Sequence, residues 1–135
     1  MFDTKIAIVV RSELETWKKL NVTAFLSSGI ASSHPVIGLP YEDADGNAYL
    51  PMPRQPILVF AADAAQIKPA FERASAREDV SVVIYTMELF NTFNDEDNRA
   101  AVKAVPKAGL DLAGFAVFGP KNPVDRALKG LALHP

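Results

Sequence analysis

An unbroken aliphatic run, Ile6–Val10, leading into a proline-free stretch from Arg11 to His34, constrains this chain more than any other feature. Such a run fits a strand buried on both faces, and the stretch from Ser12-Glu13 onward reads as one long helix. The helix is expected to begin near Leu14 and to stop before His34-Pro35, because a residue preceding proline is pushed out of helical angles. A buried strand leading into a long helix predicts a layered α/β protein.

The rest of the punctuation repeats that alternation. Val36 to Pro56 reads as an irregular arm in which Asp45-Gly46 suits a tight hairpin turn. Prolines 51, 53 and 56 keep the chain extended until a second buried strand, Ile57–Ala61. Asp63 and Gln66 form a reciprocal helix cap, and Pro69 is expected to kink the helix they open. Val80–Tyr85 is a third strand, Met87–Asn91 a short helical turn, and Asn94-Asp95-Glu96-Asp97 opens a helix ending before Pro106. Leu112–Phe118 is a fourth strand, Asn122-Pro123 reads as cap and first residue of a last helix, and Gly130 ends it. The expected architecture is one domain, residues 1–135, built as a three-layer α/β/α sandwich on a small mixed sheet. The first two strands are expected to be parallel, since a helical crossover joins them; the direction of the last stays open.

Composition narrows the function classes. The 135 residues carry a formal net charge of −2, which gives no general attraction to polyanions. A nucleic-acid contact would need a local patch, for which Lys18-Lys19 and Lys121, Arg126 and Lys129 are the candidates; solvated helix faces are the favoured explanation, because the total charge shows no excess of cations. With no cysteine there is no disulfide framework, thiolate nucleophile or thiolate metal site. No apolar run approaches the ~20 residues of a membrane span, and no signal peptide is recognisable, so a cytoplasmic location and no membrane partner are expected.

At about 100° per residue, Thr16, Lys19, Thr23 and Ser27 share one arc of the first helix, expected to face solvent. Trp17, Ala24, Phe25 and Leu14 lie opposite, and Val22, Leu26 and Ile30 widen the expected buried side. Asn21 and Ser28 fall on that side, seven residues apart. Burying an amide or hydroxyl without a partner costs about 1–3 kcal/mol, so both need partners. The plainer use is that Ser28 bonds a carbonyl one turn back and Asn21 pins a neighbouring loop. The sharper use is that both line a cleft at the carboxyl end of the first strand, where open α/β sheets hold ligands.

Three blocks of the chain resemble the peptidyl-tRNA hydrolase II family: Val9-Val10-Arg11-Ser12-Glu13-Leu14, Pro56–Ala62 with Val80–Tyr85, and Gly114–Pro120 with Val124–Leu131. Trp17, the run Leu20–Leu26, Pro40–Gly46 and Asn94–Arg99 resemble, more closely, a bacterial family of unassigned function related to that hydrolase by fold. The resemblance implies a peptidyl-tRNA hydrolase II-like fold, a homodimer, and tRNA as a conceivable partner. The hydrolase carries a lysine, a glutamine and a histidine on its first helix; the matching positions here are Asn21, Phe25 and Ser28, and its acidic residue falls near Thr86. None of those groups is retained. Asn and Ser alone provide no base near neutral pH, so the family's mechanism is expected to be lost.

The expected function is therefore a non-hydrolytic binding domain for a small polar or anionic ligand, with no cofactor or metal. Asn21 and Ser28 would supply hydrogen bonds, Trp17 and Phe25 the walls, and Thr86, Glu88, Asn98 and Arg99 the opposite side. Arg99 suits a carboxylate or phosphate, or an ordinary surface ion pair. A second expectation is a hydrolase of a tRNA-linked ester in which Glu88 acts as base through water; a third is a structural homodimer without ligand. Ser28 as nucleophile would need a histidine, and neither His34 nor His134 is placed near it by sequence. Asp43–Asn47 superficially resembles a calcium loop, but its glycine comes too early and Arg54 stands where a glutamate belongs. The carboxylates Asp95, Glu96 and Asp97 are explained by capping and the helix dipole.

Overall fold

A computed structural model describes residues 2–135. Strand β1 (Thr4–Arg11) leads into helix α1 (Thr16–Ser33), then an arm carrying the two-residue strands β2 (Tyr41–Glu42) and β3 (Ala48–Tyr49). Strand β4 (Ile57–Ala62), helix α2 (Ala64–Ser75) and strand β5 (Ser81–Thr86) come next. A 3₁₀ turn (Met87–Asn91) and helix α3 (Asp95–Lys103) separate β5 from β6 (Leu112–Pro120); helix α4 (Lys121–Ala127) and β7 (Ala132–Leu133) complete the chain. The main sheet has the order β5-β6-β1-β4-β7. β1 and β4 are parallel, β6 runs antiparallel to both β1 and β5, and β7 runs antiparallel to β4. The carboxyl ends of β1, β4 and β5 therefore share one edge.

Alternation along β1 builds two cores. Ala7 and Val9 face α2 and α4, together with Phe71, Phe115, Val117 and Val124. Ile6, Ile8 and Val10 face α1, together with Val22, Leu26, Ile30 and Tyr85. The expected mixed sheet with helices on both faces is observed. β6 accommodates an extra residue at a bulge: Tyr85 pairs with Gly114, but Thr86 pairs with Leu112.

Local signals set several boundaries. Asp63 and Gln66 complete the reciprocal cap of α2, and that helix continues unbroken through Pro69. Asn94 accepts from the Asp97 amide at the start of α3. The last helix departs from expectation, starting at Lys121 after Pro120 without a side-chain cap, so Asn122 and Pro123 already lie inside it. Gly130 adopts φ +90° just beyond its end. β7 has no signal in the sequence that announces it.

The orientation of α1 also departs from expectation. Val22, Leu26 and Ile30 form its buried line, whereas Trp17 and Phe25 are 56% and 55% exposed and Ala24 is exposed. Thr23 and Lys19, expected in solvent, are half-buried. The seat explains the rotation. A Cβ on Gly114 would lie 2.7 Å from the Val9 carbonyl oxygen and 2.8 Å from Val22 Cγ1, so α1 rides tightly on β6 where only slim aliphatic side chains fit. Thr23 tolerates its position by donating to the Lys19 carbonyl at 2.7 Å.

Candidate functional site

The outward turn of Trp17 and Phe25 leaves a concavity beside α1. α1 forms one wall, the end of β5 the floor, and the 3₁₀ turn with α3 the opposite wall. Two adjoining hollows of about 590 and 480 Å³ share Phe25, Tyr85, Leu89, Asp95 and Asn98. Trp17, Asn21, Phe90 and Phe93 extend the first; Val83, Arg99, Val102 and Lys103 extend the second. Each is of a size that holds a small molecule.

Aromatic rings run through this groove in sequence. Trp17 meets Phe90 edge-on at 6.0 Å between centroids, Phe90 meets Tyr85 at 5.1 Å, and Tyr85 meets Phe25 at 5.9 Å. Lys18 Nζ stands over the Phe90 ring at 5.1 Å from its centroid. The insertion between β5 and β6 supplies the far wall and is braced internally. The Thr92 hydroxyl donates to the Asn98 side-chain oxygen and lies 3.0 Å from the Leu89 carbonyl, tying α3 to the 3₁₀ turn.

Three polar groups lining the groove are unspent. Among the described residues, neither the Asn21 amide, the Asn98 amide nitrogen nor the Tyr85 hydroxyl has a hydrogen-bond partner. Tyr85 is 5% exposed, and burial raises its pKa above the ordinary tyrosine value, so its hydroxyl stays protonated and able to donate. Arg99 is held by Asp95 one turn back on α3, an ion pair in which both side chains are solvated. With Lys103 it gives the second hollow its cationic end.

The residues picked out by sequence are divided by the structure. Trp17, Asn21, Phe25, Asn98 and Arg99 come together around the groove. Ser28 does not join them: it is exposed and donates to the Phe25 carbonyl at 2.7 Å, the plainer of its two expected uses. Thr86 is 1% exposed, lies behind the floor at the bulge, and its hydroxyl has no partner among the described residues. Glu88 is exposed on the 3₁₀ turn and lines neither hollow. Sequence reasoning missed Tyr85, Leu89, Phe90 and Lys103. Tyr85 read as an ordinary strand residue, and only the placement of α3 across the end of β5 makes it a floor.

Other polar clusters serve local structure. Arg11 bonds Glu13 Oε1 at 2.6 Å and Asp111 Oδ1 at 2.7 Å, joining the end of β1 to the start of β6; the hydrogen bond from Arg11 keeps the Glu13 carboxyl below its usual range. The Asp43 carboxylate organises its own hairpin. It accepts from the amides of Asp45 and Asn47 at 2.9 and 3.0 Å and from the Tyr49 hydroxyl at 2.7 Å. Lys121, Arg126 and Lys129 are exposed around α4, while Lys18 and Lys19 are half-buried on the opposite layer, so the two basic clusters do not join. Among the described residues, no group of three His, Cys, Asp or Glu could hold a metal ion, and no helix is long and apolar enough to cross a membrane.

Comparison with known proteins agrees with this architecture. A solved structure of a protein of unknown function, Atu0240 from Agrobacterium tumefaciens strain C58, is similar over 100% of both chains, with 40% sequence identity and a TM-score of 0.95. Among curated proteins, none matches the chain. The sequence profile of one family matches residues 4–135, nearly the whole chain. The chain belongs to that family, described as Protein of unknown function (DUF2000).

Proposed function

We propose that this chain is a non-hydrolytic binding domain whose groove takes a small planar molecule with polar edges and an anionic group. The observation that carries this reading is the juxtaposition of a run of edge-on and tilted aromatic rings with three groups that have no protein hydrogen-bond partner, the Asn21 amide, the Tyr85 hydroxyl and the Asn98 amide nitrogen. A flat ligand stacks against Trp17 or Phe90, its polar edge meets the two amides and the phenol, and its anionic end reaches Arg99 and Lys103. Half-buried amides without protein partners make such a site selective, because a ligand lacking the matching edge strips their water and leaves them unpaired. Neither histidine lines the groove, and its one carboxylate, Asp95, is committed to Arg99. That supports binding over catalysis.

A thermal-shift screen of aromatic carboxylates, nucleosides and aryl phosphates, run on the wild type and on Asn21→Ala and Asn98→Ala, tests this reading. Binders are expected to lose about tenfold in affinity in either variant, the effect of one hydrogen bond of about 1.4 kcal/mol. Stabilisation by a ligand that is unchanged in both variants rejects the groove as its seat.

We read the fold as peptidyl-tRNA hydrolase II-like, on the sequence blocks at β1, β4–β5 and β6–α4, and the chain as a homodimer, on the exposed apolar face of α1. The hydrolase reading itself finds little support, since Glu88 lies outside the groove. Incubation with peptidyl-tRNA is expected to give no turnover, in the wild type as in Glu88→Gln.

A further inference from the structure

α1 is apolar on two sides, and only one of them is buried by this chain. Beyond the seated line of Val22, Leu26 and Ile30, the exposed Trp17, Leu20, Ala24 and Phe25 face outward. An exposed apolar side of a helix, beside one already buried, marks a surface that a second partner can cover. The arm between α1 and β4 has the matching property. Leu39 and Leu50 are 86% and 88% exposed, and Tyr41, Tyr49 and Met52 are also exposed. An ordered arm, tied at its base by the Ile37–Pro53 bridge and at its tip by the Asp43 hydrogen bonds, thus presents a large apolar surface to nothing. The chain's own arm lines neither hollow of the groove.

We infer that the occupant of the outer α1 face is the β2–β3 arm of a second copy of this chain, exchanged reciprocally across a two-fold axis. Three observations select a second copy. The surplus surface and the uncovered surface are on the same molecule, as an isologous interface requires. Their charges lean to opposite signs: residues 36–53 hold Glu42, Asp43 and Asp45 and no lysine or arginine, while α1 holds Lys19 and Lys18, the latter paired with Glu15 just ahead of the helix, and no acid within its own span. Their positions also fit. The arm leaves from the carboxyl end of α1, and the groove lies against its amino half. Two copies of this 18-residue helix, about 27 Å long, packed antiparallel bring each arm over the other's Trp17 and Phe25. Ala24 and Ser28, small and exposed near the middle of the helix, allow the close approach at the axis. An interface of about 20–30 residues a side is within reach of the arm and this face together. The partner's arm then forms the outer lip of the groove, completing it.

This inference rests on the homodimer reading and not on the ligand reading, so the two fail separately. Sedimentation of the wild type is expected to give twice the chain mass. Leu39→Asp with Leu50→Asp, at positions 86% and 88% exposed, is expected to raise the dimer dissociation constant at least about 100-fold. The chain has a single tryptophan, Trp17, so its fluorescence reads the interface directly. Emission is expected to move to the red and acrylamide quenching to rise as the protein is diluted or the two substitutions are introduced. Unchanged circular dichroism checks that the variant is folded. A wild type that sediments as a monomer overturns the inference, even if it binds a groove ligand. So does a dimer that persists in the arm variant with Trp17 as accessible as in the monomer. A variant monomer that still shows a ligand-induced thermal shift supports the arm interface and leaves the binding reading standing.

Discussion

At the scale of single residues, two positions where shape and chemistry disagree give the sharpest tests. The Thr86 hydroxyl is buried at the bulge without a partner among the described residues. Removing a buried unsatisfied polar group while keeping its volume relieves a desolvation cost, so Thr86→Val is expected to stabilise the fold by about 1 kcal/mol in urea unfolding. Loss of stability in that variant would instead reveal a hidden partner for the hydroxyl. Gly114 is the reverse case, a position with no room to spare. Gly114→Ala drives a methyl group against the Val9 carbonyl and Val22, and is expected to cost about 1–3 kcal/mol by the same measurement. Asn21 was legible as a candidate because an amide interrupts an apolar face. Ser28 looked identical by that criterion, yet its hydroxyl finds a carbonyl within its own helix, which a longer amide cannot do as easily. Tyr85 and Phe90 carried no signal of their own; strand position and aromatic character suit a core equally well.

At the scale of elements, the β2–β3 hairpin shows how a short segment can be ordered by one carboxylate. Hydrogen bonds from Tyr49 first, then from Asn47, lower the Asp43 pKa from 3.8 to about 2. A carboxyl depressed by folding contributes order that is fully present above its unfolded value and is lost as pH falls through the folded one. The hairpin is therefore expected to hold above about pH 4 and to loosen toward pH 2. The Tyr49 and Asn47 amide resonances should report the change, and Asp43→Ala should show the loosened pattern at neutral pH. The sequence announced this turn through Asp45-Gly46, and Gly46 does take φ +87°. It also announced the capped starts of α2 and α3, because capping chemistry is local. The facing of α1 was not announced. Two apolar arcs compete on that helix, and the choice between them is made by Gly114 and Val9, distant in sequence and adjacent only in the folded sheet.

At the scale of the whole molecule, aliphatic runs and turn residues sufficed to foresee a layered sheet with helices on both faces, since burial on two sides leaves its mark in composition. The parallel pairing of β1 and β4 was legible from the crossover that joins them, whereas strand order and the direction of β6 were not, because spacing alone leaves them open. The groove lies against β5, an outer strand of the sheet, and it exists because the β5–β6 connection detours through α3 instead of turning tightly. Shortening that detour, by replacing residues 91–105 with a short glycine-rich link, is expected to leave the sheet folded while abolishing every ligand-induced thermal shift; a shift that survives places the ligand elsewhere. At the opposite flank of the sheet, two residues of β7 and the His134 amide, which donates to the Val59 carbonyl at 2.9 Å, stand guard over β4. Deleting residues 131–135 would lay bare a row of unpaired peptide groups on an aliphatic strand, and such a row recruits neighbouring molecules edge to edge. Loss of β7 is thus expected to make this flank of the sheet adhesive, and light scattering by the shortened chain against the intact one measures it.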